Sequence, residues 1–153
     1  MKLSDLIKVT KEEKDTGVKV PWDESGDIGF ILRYCGKGEL MKARNDSLKK
    51  KFNHKTHQVD ETLDEPKFDF EVMKYTLAGW WGLKVKHLPE ILDPKIDLSG
   101  LGDQGELVVD FNDENKEFII NGYNLTFSRF VSSVATDIEM YRKYKEDKEL
   151  KNS

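Results

Sequence analysis

The chain has 153 residues, of which 37% are hydrophobic and 35% charged, and its net charge is −4. This length favours one domain with a genuine core, and the aromatic content of 10% argues against wholesale disorder. The small negative charge excludes a global attraction to nucleic acid or to an anionic membrane. The single cysteine, Cys35, excludes an internal disulfide and suits a reducing compartment. No apolar run matches a signal peptide or a membrane span, so we expect a cytoplasmic protein.

The first part of the chain predicts a flexible or weakly ordered arm over residues 1–16 and then a small β-hairpin. Alternating valines before a proline predict a strand over Val18–Trp22, and strand-forming residues predict a second over Ile28–Tyr34. The turn-forming residues between them, DESGD, favour pairing of the two strands.

A basic helix is predicted next, over Glu39–Phe52, and a polar connector or hairpin over Asn53–Leu63. The residues expected to be buried in this helix are Leu40, Met41, Leu48 and Phe52.

The most apolar stretch, Phe68–Leu83, predicts a central helix covered on more than one side. Asp64 and Pro66 are typical of a helix start, because an aspartate caps free N–H groups and proline suits the first turn. The two apolar faces at helical spacing are Phe70, Met73, Leu77 and Trp80, and Phe68, Val72 and Tyr75.

The last third predicts one helical turn at HLPEIL, an exposed loop over Asp97–Gly105 and an extended segment over Glu106–Phe111. A helix over Asp113–Asn121 should end at Gly122. A final helix starting near Asn124 has an apolar stripe made of Phe127, Phe130, Val131, Val134, Ile138 and Tyr141.

These elements predict a mainly α (α+β) fold, a small helical domain of about four helices with a short N-terminal β-hairpin. The globular domain should span residues 17–145, and residues 146–153 should form a frayed tail.

The residues that could carry chemistry favour no enzyme, no cofactor and no metal site. His54 and His57 precede Asp60, Glu61 and Asp64, but lie in a predicted connector without the fixed geometry of metal ligands. Cys35 has no histidine at a spacing tied to it that could act as its base, and phosphate-binding loop patterns are absent.

Two features are candidates for partner binding. The basic residues from Lys42 to Lys55 could contact phosphates, although the acidic residues that follow favour charge balance or a protein partner. Adjacent helical residues point about 100° apart, so one of the pair Trp80 and Trp81 could face a partner while the other fills the core. The candidate contact residues are Lys42, Lys49, Lys50, Trp80 and Trp81.

The order of the motifs FILRYCGKGELMKAR, KKKFNHKTHQ, FDFEVMKYTLAGWWGL and FNDENKEFI resembles small proteins of phage and prophage tail modules, similar to the tail assembly chaperone group. The resemblance covers roughly residues 28–138. Its matching positions are Leu32-Arg33-Tyr34, Trp81-Gly82-Leu83 and Glu114-Asn115. Trp80 and the insert over Lys84–Gly105 depart from the pattern.

The resemblance implies a non-catalytic protein that binds the long, helix-rich tape measure protein while tail tube subunits assemble around it. Tube proteins and further copies of the chain are additional expected partners. A tail or neck component retained in the virion and a small nucleic-acid-binding regulator are the alternatives.

Overall fold

The computed structural model describes residues 2–3 and 16–151. The described part of the chain forms six α-helices and five β-strands. The strands are β1 Val18–Pro21, β2 Gly29–Leu32, β3 Leu48–Asn53, β4 Gln58–Leu63 and β5 Leu77–Trp81. The helices are α1 Lys37–Asp46, α2 Glu65–Thr76, α3 Leu88–Ile91, α4 Asp113–Gly122, α5 Leu125–Ala135 and α6 Ile138–Lys151. The predicted arm, residues 1–16, lies almost wholly outside the described residues.

The predicted fold of about four helices with one hairpin is wrong. The strands form two separate sheets, one of three strands in the order β1-β2-β5 and one of two strands, β3-β4. The predicted hairpin between Val18–Trp22 and Ile28–Tyr34 is confirmed as the antiparallel pair β1–β2, in which Val20 lies opposite Phe30. Strands β3 and β5 were expected to be mainly helical, and β4 lies in the stretch 53–63 that was expected to be a polar connector or hairpin.

The predicted central helix is correct at its start and wrong at its end. The Asp64 side chain accepts a hydrogen bond from the Lys67 N–H at 3.2 Å, which caps α2 as expected. The helix stops at Thr76, whose main-chain oxygen accepts from the Arg33 N–H at 2.8 Å instead of continuing the helical ladder. The following residues, LAGWW, form β5 and pair antiparallel with β2.

The predicted basic helix is also shorter than expected. Helix α1 ends at Asp46, and the Ser47 hydroxyl that follows donates to the Ala43 oxygen at 2.7 Å. Residues 48–53 then form β3, because their backbone pairs with β4 across a tight turn. Met41 and Phe52, expected in the core, are 52% and 47% exposed.

The last predicted helix is two helices, α5 and α6, separated at Asp137. Its carboxylate accepts hydrogen bonds from the N–H groups of Glu139 and Met140, so Asp137 starts a new helix. Ile138 is consequently exposed, while Val131 and Tyr141 are buried as predicted. Helix α6 continues to Lys151, beyond the expected domain end at 145.

The core lies between the three-stranded sheet and the C-terminal helices. The Phe30 ring on β2 meets the Phe127 ring on α5 edge to face, with their centroids 4.9 Å apart. Trp22 and Phe130 extend this aromatic cluster, and Leu77 on β5 is fully buried. No helix in the described ranges is both long and apolar enough to cross a bilayer.

Candidate protein-binding groove

The wall of the candidate site is the extended segment 106–111, which was predicted as extended and is held against the chain that leaves β5. The Val109 N–H donates to the Leu83 oxygen at 2.8 Å, and the Val85 N–H donates to the Leu107 oxygen at 3.0 Å. Val108 and Lys84 form an isolated antiparallel bridge between these two hydrogen bonds. The segment is therefore aligned like a short strand at the edge of the fold.

Trp80 fixes this wall from the core side. Its indole Nε1 donates to the Val109 oxygen at 2.7 Å, and the Phe111 ring meets the indole edge to face at 4.7 Å. Trp80 itself is only 8% exposed. The tryptophan that was considered as a partner anchor therefore supports a surface from behind rather than forming it.

A carboxylate clamp holds the other end of the wall. Glu106 accepts hydrogen bonds from the ammonium groups of Lys84 and Lys86, both at 2.8 Å. The hydrogen bond from Lys84 has the largest effect and that from Lys86 the next, and they lower the pKa of the Glu106 carboxyl to about 2. Glu106 is therefore ionised, and available to both ammonium groups, at physiological pH.

The groove beside this wall has a volume of about 470 Å³, which lies within the usual range for ligand pockets. Its apolar lining comes from the loop before the wall, from the wall and from α4. The main lining residues are Leu98, Leu101, Leu107, Val108, Phe118 and Ile119. Leu107, Val108 and Phe118 are 57%, 56% and 53% exposed, so the lining of this groove presents apolar surface to solvent.

The surroundings of the groove are acidic. Residues 84–119 contain nine aspartates and glutamates but only four lysines. Asp97 lines the groove itself, and hydrogen bonds from Ser99 lower the pKa of its carboxyl, so this carboxylate is charged. The groove combines apolar walls with one charged side chain in its lining, that of Asp97.

The predicted contact residues are not brought together into one surface. Lys42 lies on α1, whereas Lys49 and Lys50 lie on β3 and pair with Asp64 at 3.3 Å and Glu61 at 3.9 Å. These pairs give the charge balance that the sequence favoured over phosphate contacts.

Trp81 covers the outer side of the sheet rather than the groove. It is half-buried, and its Nε1 donates to the Gly26 oxygen at 3.1 Å. Its ring lies over Gly29, where an added Cβ would come within 2.2 Å of the indole. Part of the ring remains accessible, with the Lys19 ammonium 5.7 Å from its centroid.

The residues considered for metal or nucleophilic chemistry lie apart from the groove. His54 and His57 lie in the turn between β3 and β4, where the centroids of the His54 and Phe52 rings are 5.0 Å apart. Within residues 2–3 and 16–151, no three histidine, cysteine or acidic side chains are placed to hold a metal ion. Cys35 is buried, and burial followed by the charge of Glu39 raises the pKa of its thiol, which opposes thiolate formation.

Sequence reasoning missed Leu107, Val108 and Phe118 as site residues. The run ELVVDF has the composition of a core strand, and only the tertiary structure shows that three of its apolar side chains, Leu107, Val108 and Phe111, are exposed. No family model, curated protein or solved structure matches the chain.

Two of the three motifs in the tail-chaperone resemblance frame the groove wall. Leu83, from Trp81-Gly82-Leu83, accepts the wall's hydrogen bond from Val109. Asn115, from Glu114-Asn115, lines the groove, and its side chain donates to the Asp110 oxygen at 2.8 Å.

Proposed function

We propose that the protein is a non-enzymatic protein-binding protein whose groove receives the apolar face of a partner helix. One observation carries this proposal: Leu107, Val108 and Phe118, each more than half exposed, line the same cavity. Contiguous apolar surface exposed beside a polar rim is typical of protein-binding sites. A groove of this kind suits an amphipathic helix, which inserts side chains spaced three and four residues apart.

The charge around the groove defines the partner further. Asp97 in the lining and the excess of acids in residues 84–119 favour a helix with lysine or arginine beside its apolar stripe over one with acidic flanks. The expected partner segment is therefore apolar on one face and basic on its borders. Binding should weaken as salt is added, because Asp97 is exposed.

The resemblance supplies the identity that we propose for this helix: a segment of a phage tape measure protein, bound in the host cytoplasm before the tail is complete. This identity rests on the resemblance of the sequence motifs to the tail assembly chaperone group. A long helical protein with exposed apolar stripes needs such cover to avoid aggregation. The proposed role is tail assembly chaperone.

The test is affinity purification of the tagged protein from cells that express its native gene neighbourhood, with mass spectrometry of the proteins that co-elute. Val108→Asp and Phe118→Asp place a charge in the groove and should abolish recovery of the partner. The matched control is Leu125→Asp, a residue that is 72% exposed and lies in the first turn of α5, where an acid is tolerated.

Recovery of a long helical protein by the wild type and by Leu125→Asp, but not by the groove variants, would support the proposal. Equal recovery by all four proteins would reject the groove as the binding surface. Presence of the protein in finished particles would favour the structural tail or neck component over a chaperone.

A further inference from the structure

A second cavity, of about 620 Å³, lies between α1, α2 and α4. Helix α4 contributes Asn115 to the apolar groove and Lys116 to this cleft, so the two sites use different sides of one helix. The basic side chains that line the cleft are Arg33, Lys42, Lys74 and Lys116.

The guanidinium group of Arg33 is held in the cleft by the main chain and the ring of Tyr75. Its Nη1 donates to the Tyr75 oxygen at 3.0 Å, and its guanidinium carbon is 5.7 Å from the centroid of the Tyr75 ring. A half-buried guanidinium held in this way loses little additional freedom when it binds an anion.

Lys74 and Lys116 bring two more positive charges to the same place. Among the described residues, neither ammonium has a carboxylate within 4.0 Å, whereas Lys49, Lys50, Lys84 and Lys86 do. Burial lowers the pKa of Lys116, and the nearby charges of Arg33 and Lys74 lower it further, against a smaller opposing effect of Asp113. Lys116 therefore lies in a partly buried site with the charges of Arg33 and Lys74 nearby.

Acidic side chains complete the lining and limit what the cleft can accept. Glu39 and Asp46 lie on α1, and Glu71 lies on α2. An extended polyanion that reached these carboxylates would be repelled by them, whereas a compact anion held at the basic side chains would not reach them. A compact anionic group on a molecule with neutral or hydrogen-bonding parts would satisfy both sides.

We propose that this cleft binds a small phosphate-bearing molecule, with Arg33, Lys74 and Lys116 holding the phosphate group. Arginine with lysines around it matches the tetrahedral oxygens and the double charge of a phosphate ester. Binding would replace the repulsion among the three cations with charge-assisted hydrogen bonds. This site is independent of the helix-binding groove.

The test is calorimetric titration of the full chain with inorganic phosphate and with pyrophosphate, at constant ionic strength set by sodium chloride. Lys74→Met and Lys116→Met keep the aliphatic stems and remove the charges, so each should weaken binding by about tenfold. The control is Lys95→Met, an exposed lysine that does not line the cleft and should leave the affinity unchanged.

Thermal unfolding of the unbound proteins gives a second readout. Lys116→Met should raise the Tm, because it removes the charge that Arg33 and Lys74 repel. The methionine side chain should still cover the Phe111 ring. A purely structural lysine would show the opposite, a lower Tm with no effect on phosphate affinity.

Several results would overturn the proposal. The first is an absence of saturable binding of either anion up to about 10 mM. The second is that Lys95→Met weakens phosphate binding as much as the cleft variants do. The third is that a dicarboxylate such as succinate binds as tightly as phosphate. Binding of duplex DNA that requires Lys116, without binding of either small anion, would assign the cleft to nucleic acid instead. Val108→Asp should leave the phosphate titration unchanged, which separates this test from that of the groove.

Discussion

The indole Nε1 of Trp80 donates a 2.7 Å hydrogen bond to the main-chain oxygen of Val109, a residue 29 positions later in the chain. The bond joins β5, a strand of the main sheet, to the segment that forms the wall of the groove. Together with the backbone hydrogen bonds to the 83–85 segment, a core side chain therefore helps to fix where Leu107 and Val108 present their apolar surface.

Trp80→Phe should destabilise the fold and loosen the groove wall. The change keeps an aromatic ring but leaves the Val109 oxygen without its donor, which should cost about 1–3 kcal/mol of unfolding free energy in a partly buried site. Urea unfolding measures the loss. Trp81→Phe is the control, because its 3.1 Å bond to Gly26 is exposed and should contribute less. Equal losses in the two variants would contradict the assigned role of Trp80.

Gly82→Ala should be strongly destabilising, because it strains the bend between β5 and the strand-like pairing with the groove wall. Gly82 has a φ of +66°, and an added Cβ would lie 1.9 Å from the Asp27 oxygen. The positive φ alone should cost about 1–3 kcal/mol, and the steric clash adds to this. Gly100→Ala is the matched control, since an added Cβ there has no neighbour within 4 Å. Similar Tm values for both variants would show that the bend is not constrained in this way.

Glu106→Gln should change how stability depends on pH. The pKa of Glu106 is lowered from 4.5 to about 2 in the folded protein, so the clamp's contribution is complete above pH 4.5 and disappears as the pH falls to about 2. The wild type should therefore be slightly more stable than the variant at pH 7, and the difference should vanish near pH 2. The effect should be small and reduced by salt, because Glu106 is exposed.

Unfolding free energies measured between pH 2 and pH 7 at two salt concentrations test this linkage. A difference between wild type and Glu106→Gln that persists unchanged at pH 2 would mean that the carboxylate charge is not responsible. A charge-independent effect would point to packing of the side chain instead.

The β3–β4 sheet should exchange its amide hydrogens faster than the three-stranded sheet. Both of its strands are exposed or half-exposed along their length, and a two-stranded sheet has little stability of its own. Phe52 and Val59 face each other across the pair but remain 47% and 58% exposed. Hydrogen exchange with mass spectrometry distinguishes the two sheets. Equal protection of their amide hydrogens would indicate that the β3–β4 sheet is covered in solution.

Local signals in the sequence predicted the parts of the fold that depend on neighbouring residues. The cap at Asp64 was predictable, because a side-chain acceptor followed by a helical pattern has a local cause. The change from helix to strand at Thr76 was not readable, since LAGWW suits either structure and its partner β2 lies about 45 residues earlier.

The groove was not predictable for a related reason. An apolar run such as ELVVDF predicts burial on average, and exposure of Leu107 and Val108 depends on which elements fail to cover them. Trp80 was predicted either to fill the core or to anchor a partner, and its role as a support is shown only by its contact with Val109. The pairing of Lys49 and Lys50 with acids followed the charge balance that the sequence favoured.

The most direct measurement of the central claim is site-specific photo-crosslinking from the groove. A photoreactive phenylalanine analogue at Val108, introduced into the tagged protein in cells with the native gene neighbourhood, should form a covalent adduct with a long helical partner. The same analogue at Leu125, which is exposed but outside the groove, should not. A Val108 adduct that maps to an amphipathic segment with basic borders would agree with the account. Adducts from Leu125 alone, or equal adducts from both positions, would contradict the assignment of the groove as the partner-binding surface.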